Sequence, residues 1–213
     1  MPEVLSVNVG RERRVAAKSG VSGIDKRPVD GPVEVRKPVG KGSGLAGDTI
    51  SDTDNHGGAD QAVYAYARED LDWWQDDLGR PLPSGVFGEN LTTSGIDVTG
   101  ARIGERWRIG NDLVLQVTAP RLPCRTFAVW LEEQGWIQRF HAGGRPGAYF
   151  RVLRPGRVTA GDGIVVEHVP DNDVTIGLAF RALTSQPELL PGLLVSPDLT
   201  QEVEARALRR LER

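Results

Sequence analysis

The cysteine at position 124 is the side chain best placed to do chemistry. It is the only cysteine of the 213 residues and lies in the run Ala119-Pro120-Arg121-Leu122-Pro123-Cys124-Arg125-Thr126. Each proline fixes its own φ and favours an extended residue before it, so we expect the thiol on a stiff loop between a strand and a helix. The flanking arginines favour the thiolate, which attacks electrophiles and binds metals. The alternative is a buried thiol that packs as a small apolar group.

A single cysteine limits what the chain can do alone. It excludes an internal disulfide, an iron–sulfur cluster held by this chain and a zinc site built from several cysteines. The three histidines, His56, His141 and His168, show no zinc spacing. Redox chemistry would therefore need a bound cofactor and an outside source of electrons.

Further polar residues stand next to glycines. His56 precedes a glycine pair, Glu89 and Asn90 follow Gly88, and Lys26 follows a short glycine-containing segment. Each is typical of a turn when taken alone, because glycine supplies unusual φ values and polar side chains bond locally. Together with Cys124, they indicate a more specific site.

Length and composition indicate one large domain, or one domain with a small appendage. The apolar share is 39%, and no apolar run approaches the roughly 18 residues of a membrane helix. The first residues lack the basic and apolar pattern of a secretory signal, so a cytoplasmic location is expected. Interspersed charges with a net charge of −3 predict neither a nucleic-acid partner nor a membrane surface.

Short strands followed by helices must position these residues. Alternating apolar residues predict strands over 4–9, 62–67, 106–109, 113–117 and 148–153, and a helix over 69–78 that Gly79 ends. Many glycines and prolines between short strands favour a closed or nearly closed β-barrel. Three helices are predicted over 175–183, 186–193 and 199–211. We therefore expect a mainly β fold with some α: a β-barrel domain over 1–170 and a small three-helix appendage over 171–213.

The polar motifs, taken in order, resemble those of the MOSC family, named for the C-terminal domain of molybdenum-cofactor sulfurase. The matching stretches are Ile24-Asp25-Lys26-Arg27-Pro28-Val29, Gly47-Asp48 with Asp52, His56-Gly57-Gly58, Phe87-Gly88-Glu89-Asn90-Leu91, Pro120-Arg121 with Cys124, and Gly147-Ala148-Tyr149-Phe150-Arg151-Val152-Leu153. The helical tail also resembles the three-helix domain that follows MOSC in the bacterial branch of N-hydroxylaminopurine reductases.

The resemblance implies a β-barrel that binds a single-pterin molybdenum cofactor, with the Cys124 thiolate as the protein ligand to molybdenum. Soft thiolates suit such a metal when the cofactor supplies the remaining ligands. By position, Lys26, Arg121 and Arg151 would meet the cofactor's phosphate. Asn90 and His56 would face the pterin or the substrate side of the metal.

The implied activity is reductive cleavage of the N–O bond in an N-hydroxylated small molecule, R–NHOH, to give R–NH2 and water. His56 is the candidate proton donor to the departing oxygen, since imidazole groups ordinarily titrate near neutral pH, and Glu89 is the second candidate. The chain has no flavin motif and no cluster ligands, so an external flavin or iron–sulfur protein would deliver electrons, docking at the helical tail. Monomer and homodimer both stay open.

Two other functions fit the same residues. In a carrier of sulfur or of the molybdenum cofactor, Cys124 would bear a persulfide and no turnover would occur. In a cofactor-free enzyme, Cys124 would pair with His56 or His141. Two positions depart from the resemblance: Gln61 stands where lysine is expected, which removes a positive charge, and Glu105 stands where aspartate is usual.

Overall fold

The computed structural model describes residues 1–15, 20–53 and 56–212. The strands are β1 (Glu3–Gly10), β2 (Arg13–Arg14), β3 (Val21–Ser22), β4 (Lys26–Pro28), β5 (Val33–Val35), β6 (Val63–Ala67), β7 (Leu91–Ser94), β8 (Arg106–Ile109), β9 (Leu113–Pro120), β10 (Ala148–Arg154), β11 (Gly156–Val158) and β12 (Ile164–His168). The helices are α1 (Arg68–Leu78), α2 (Arg125–Leu131), α3 (Trp136–Gly143), α4 (Ile176–Thr184), α5 (Leu190–Leu193) and α6 (Gln201–Leu211). Short 3-10 helices cover Ala59–Gln61 and Pro187–Leu189.

An eight-stranded, mostly antiparallel sheet organises the fold. Its order is β12-β8-β9-β10-β6-β7-β1-β4, and β6 and β7 run parallel. The predicted closed barrel is not supported, because the edge strands β12 and β4 do not pair in the described part of the chain. A single-residue bridge from Glu3 to Gly163 links the start of β1 to the residue that precedes β12. Glycines and prolines mark short strands, but closure depends on strand tilt and stagger, which they do not determine.

The predicted elements are present with small shifts. The strand predicted over 106–109 is β8, and the helix predicted over 69–78 begins one residue earlier. Gly79 ends α1 in the left-handed conformation with φ 65°, and its N–H bonds the Gln75 carbonyl. The strand predicted over 113–117 continues to Pro120. All eight residues of β9 are buried, so the alternating pattern that marks a strand in the sequence does not show its full length.

The chain is helical beyond Thr175. Thr175 and Thr200 cap α4 and α6, since each side-chain oxygen accepts the N–H three residues later. The helix predicted over 186–193 is divided into a 3-10 turn and the four-residue α5, each with a proline in its first turn. Apolar side chains of α4 and α6 join the same buried core as the strands. The division between residues 170 and 171 stays a prediction.

A second, aromatic core lies between the main sheet and the helices α1 to α3. Its rings include Trp74, Phe87, Phe127, Trp136 and Phe140. Trp136 contacts Trp74 and Phe127 with ring centroids 4.8 and 5.3 Å apart. This core supports the loop between β9 and α2 that carries Cys124.

Among the residues described, no helix has the length and apolar character needed to cross a bilayer.

Candidate functional site

Most of the predicted site residues lie at the ends of strands in the main sheet. Lys26 begins β4, Asn90 immediately precedes β7, and Arg121 immediately follows β9. These strands belong to the contiguous run β9-β10-β6-β7-β1-β4. The antiparallel register of Gly10 with Lys26 places the start of β4 beside the end of β1. Residues far apart in sequence therefore surround one cleft.

The cleft has two lobes that meet at Cys124. The inner lobe is the part lined by Lys26, Asp48, Tyr64, Gly88, Asn90 and Arg121. The outer lobe is the part lined by Lys41, Asp60, Leu122, Thr200, Glu202 and Arg206. Both lobes share Asp52, His56, Gln61, Cys124 and Tyr149. A ligand in one lobe would thus be in reach of the same thiol and imidazole as a ligand in the other.

Cys124 lies between β9 and α2, as its prolines predict, with an extended backbone at φ −117° and ψ 168°. Burial opposes ionisation of the half-buried thiol. A hydrogen bond with the His56 side chain and the charge of Arg121 outweigh that effect and lower the pKa of Cys124 to about 7. Near neutral pH a large fraction of this side chain is therefore thiolate.

Arg121 is a buried cation that forms no ion pair with a carboxylate of the described residues. Its Nη1 donates to the Phe87 carbonyl, and its guanidinium carbon lies 4.2 Å from the ring centre of Phe127 and 5.0 Å from that of Tyr64. Burial alone would lower the pKa of Arg121, but interactions with Tyr64, Tyr149 and Cys124 raise it, so the group stays charged. Its Nε is buried without a hydrogen-bond partner in the described part. Such a guanidinium suits an anionic ligand.

Lys26, Asp48 and Asn90 form a hydrogen-bonded floor to the inner lobe. The Lys26 and Asp48 side chains form an ion pair and are only 8% and 1% exposed. Asp48 also accepts from the Gly10 N–H at 2.7 Å and from Asn90 Nδ2 at 2.9 Å. Asn90 Oδ1 accepts from the Tyr64 N–H at 3.1 Å. Burial lowers the pKa of Lys26, whereas the pairing with Asp48 opposes that fall.

Sequence reasoning missed Asp48, Tyr64 and Tyr149 as site residues. Tyr64 and Tyr149 are directly opposed on β6 and β10, with ring centroids 5.0 Å apart. Asp48 and Tyr149 fall inside stretches that carry the family resemblance, which was the available signal. Their contacts with Lys26 and Arg121 depend on pairing between distant segments, which the sequence alone does not show.

Two predicted site residues do not line the cleft. Glu89 is fully buried and accepts from the backbone N–H groups of Gly85 and Phe87. Arg151 forms an ion pair at 2.9 Å with Asp60, which lines the outer lobe. The structure brings together the other five predicted residues, Lys26, His56, Asn90, Arg121 and Cys124.

His141, the other imidazole considered for Cys124, lies in α3 with its ring centroid 5.8 Å from that of Phe180. It lines neither lobe of the cleft. The geometry therefore pairs Cys124 with His56, and His141 contributes to helix packing instead.

The donor set of the cleft fits a metal that brings most of its own ligands. Within the described residues, no group of three or more His, Cys, Asp or Glu side chains could hold a metal ion. A soft thiolate beside a buried guanidinium that pairs with no carboxylate of the described residues suits a cofactor with a soft metal and an anionic tail. Gly88 beside that guanidinium adopts φ 75°, and a Cβ there would lie 3.1 Å from Ile24 Cγ1 and 3.4 Å from Arg121 Nη1.

Comparisons with known proteins identify relatives of this chain. A family model described as "MOSC domain" matches residues 52–165, more than half of the chain. The YflK protein of Bacillus subtilis is 34% identical over 180 residues, which cover 84% of this chain and 79% of that protein. A Gibberella moniliformis protein named "Reductase" is 31% identical over 165 residues, covering 76% of this chain but only 28% of that longer protein. The crystal structure of YiiM from Geobacillus stearothermophilus superimposes with a TM-score of 0.80 at 26% identity, over 99% of this chain and 100% of that one.

Proposed function

The chain belongs to the MOSC domain family, and on that premise we propose that it is a molybdenum-cofactor-dependent reductase of N-hydroxylated small molecules. The reaction is R–NHOH + 2 e⁻ + 2 H⁺ → R–NH2 + H2O. One observation carries the proposal: an activated thiol and a buried cation that pairs with no carboxylate of the described residues line the same cleft. The Gibberella moniliformis relative, which this chain matches over 28% of that protein's length, is named "Reductase", and this name supports the reaction class.

The inner lobe is the proposed cofactor site. Cys124 would be the thiolate ligand to molybdenum, and Arg121 and Lys26 would bind the anionic tail. Asn90 would present its amide from the Asp48 network toward the pterin. When bound, the cofactor supplies the two electrons that cleave the N–O bond. Arg151 would instead support the outer lobe, through its ion pair with Asp60.

The outer lobe is the proposed substrate side. His56 lines both lobes and hydrogen-bonds the Cys124 thiol, so it can donate a proton to an oxygen leaving beside that sulfur. This lobe is lined by polar Glu202 and Arg206 of α6 together with apolar Leu122 and Val203. A lining of that kind suits a small aromatic or heterocyclic amine.

N-hydroxylated purine bases are the proposed substrates, so the activity would detoxify base analogues. An external flavin or iron–sulfur protein would deliver the electrons and would dock at the C-terminal helices. A cytoplasmic location is proposed from the sequence, and the assembly is either a monomer or a homodimer.

An anaerobic assay with chemically reduced methyl viologen tests the proposal. Protein from a cofactor-competent host is given 6-N-hydroxylaminopurine or phenylhydroxylamine, and the amine product is quantified. We expect turnover by the wild type and by Glu105→Gln, a control outside the cleft, and none by Cys124→Ser. Turnover that survives in Cys124→Ser would overturn the proposed role of the thiol. Stoichiometric molybdenum without reduction of either compound would support the carrier function instead.

A further inference from the structure

Glu89 is a buried carboxylate that the proposed reaction does not use. We infer that Glu89 is a positioning residue, which fixes the 85–88 loop and through it the Arg121 guanidinium and the Lys26 backbone. The inference rests on the proposed anion-binding role of these two cations. It replaces the expectation that Glu89 donates a proton.

The Glu89 carboxylate binds the backbone of the 85–88 loop. Glu89 Oε1 accepts from the Gly85 N–H at 2.5 Å and from the Thr92 hydroxyl at 3.0 Å, and Oε2 accepts from the Phe87 N–H at 3.0 Å. The loop is a tight turn in which the Gly88 N–H bonds the Gly85 carbonyl at 2.8 Å. Two loop N–H groups thus depend on one side chain that has no exposed surface.

The 85–88 loop in turn contacts Arg121. The Phe87 carbonyl accepts from Arg121 Nη1, while the Phe87 N–H is held by Glu89. The Phe87 ring packs edge-on against Phe127 at 5.1 Å, and Phe127 is the ring that lies beneath the guanidinium. A shift of Phe87 would therefore move both the acceptor and the stacking surface of Arg121.

The same loop also packs on Lys26. Gly85 adopts φ 86° and lies so close to the Lys26 carbonyl that a Cβ at this position would collide with it. Trp130 Nε1 also holds the loop by donating to the Val86 carbonyl at 2.8 Å. Glu89 is thus the anchor of a segment that contacts both cations of the inner lobe.

The surroundings of Glu89 argue against proton delivery. Its carboxylate oxygens accept two backbone N–H groups and a hydroxyl, and it lines neither lobe of the cleft. Burial raises the pKa of Glu89, and the bonds from the loop oppose that rise. A group that is bonded in this way holds structure in place rather than cycling a proton with a substrate.

The test uses metal-free protein and the thiol as a reporter. Iodoacetamide alkylation of Cys124 is followed against pH in the wild type, Glu89→Gln and Glu105→Gln. Glu105 is a matched control, because it is a buried carboxylate that accepts from the Arg102 N–H and from Trp107 Nε1 away from the cleft. Glutamine cannot accept both loop N–H groups, so Arg121 should shift. The midpoint should then rise by one pH unit or more, which lowers the rate at pH 7 roughly fivefold.

A second readout is binding of inorganic phosphate to the same proteins by calorimetry, which should weaken in Glu89→Gln and stay unchanged in Glu105→Gln. If Glu89→Gln does not fold, Trp130→Phe takes its place, since it removes a bond to the loop without touching a buried charge. It should shift the alkylation midpoint in the same direction by a smaller amount.

The outcomes separate this inference from the proposed function. Glu89→Gln with a wild-type alkylation profile and wild-type phosphate binding, but no turnover when loaded, would make Glu89 the proton donor and overturn the inference. Equal shifts in Glu89→Gln and Glu105→Gln would also overturn it, because general destabilisation would then be the cause. A shifted midpoint in a protein that reduces no N-hydroxylated compound would uphold the positioning role while the reductase proposal fails.

Discussion

The two lobes of the cleft differ in how firmly their charged groups are held. In the inner lobe, Lys26 and Asp48 are nearly inaccessible to solvent, and Asp48 has two further hydrogen-bond donors. In the outer lobe, the Glu202 side chain is 56% exposed, and its contacts with Gln61 and Arg206 are 3.3 and 3.7 Å long. The charged groups of the inner lobe are therefore held in place, whereas those of the outer lobe can rearrange.

Under the proposed function, this difference would let the chain keep a cofactor and still accept several substrates. Charges that are buried and paired in advance cost little reorganisation when an anion binds. Exposed charges on a helix surface interact weakly with each other, so they leave side chains free to rearrange.

The largest effect is expected for Asp48→Asn, which leaves the Lys26 ammonium buried without its partner. Breaking a buried ion pair in this way costs about 3–5 kcal/mol, and we expect a loss of that size in the free energy of unfolding, measured by urea denaturation. Asp60→Asn is the matched control in the outer lobe, because Asp60 pairs with Arg151 but is 44% exposed. Its loss should stay below about 1 kcal/mol. Equal losses in both variants would remove the contrast.

An intermediate effect is expected for Arg121→Ala on the thiol. In the wild type the Cys124 alkylation rate should be half-maximal near pH 7, because the pKa is lowered from 9.0 to about 7. Loss of the guanidinium removes a charge that favours the thiolate, so the midpoint moves to higher pH and the rate at pH 7 falls about tenfold. Arg121→Lys, which keeps a charge but not the stacked plane, should lie between the two. A midpoint that ignores both substitutions would show that His56 alone activates the thiol.

The smallest effect is expected for Glu202→Gln in the outer lobe. An exposed carboxylate with long contacts contributes little, so the free energy of unfolding should change by less than about 0.5 kcal/mol. KM for an N-hydroxylated substrate should shift by about threefold in the loaded enzyme, since Glu202 lines the proposed substrate side. A destabilisation as large as that of Asp48→Asn would contradict the description of this lobe.

Local signals predicted the elements, and the family resemblance predicted much of the cleft. The prolines around Cys124 correctly place the thiol between a strand and a helix, and Gly79 correctly ends α1. These features depend on neighbouring residues only. The predicted barrel fails because sheet closure depends on how strands at opposite edges meet.

The missed features share a physical cause. The role of Asp48 depends on a buried ion pair with Lys26, 22 positions away, and on a hydrogen bond from Asn90, 42 positions away. Glu89 follows a glycine and precedes Asn90, so its sequence surroundings resemble those of a site residue. Only the structure shows that its oxygens are bonded to the loop backbone.

The most direct test of the central claim is the molybdenum content of protein purified from a cofactor-competent host. Elemental analysis of the wild type, Cys124→Ser and Glu105→Gln measures retention of the cofactor independently of turnover. We predict about one molybdenum per chain in the wild type and in Glu105→Gln, and almost none in Cys124→Ser. Equal molybdenum in all three proteins, or none in the wild type, would contradict the assignment of Cys124 as the ligand in this cleft.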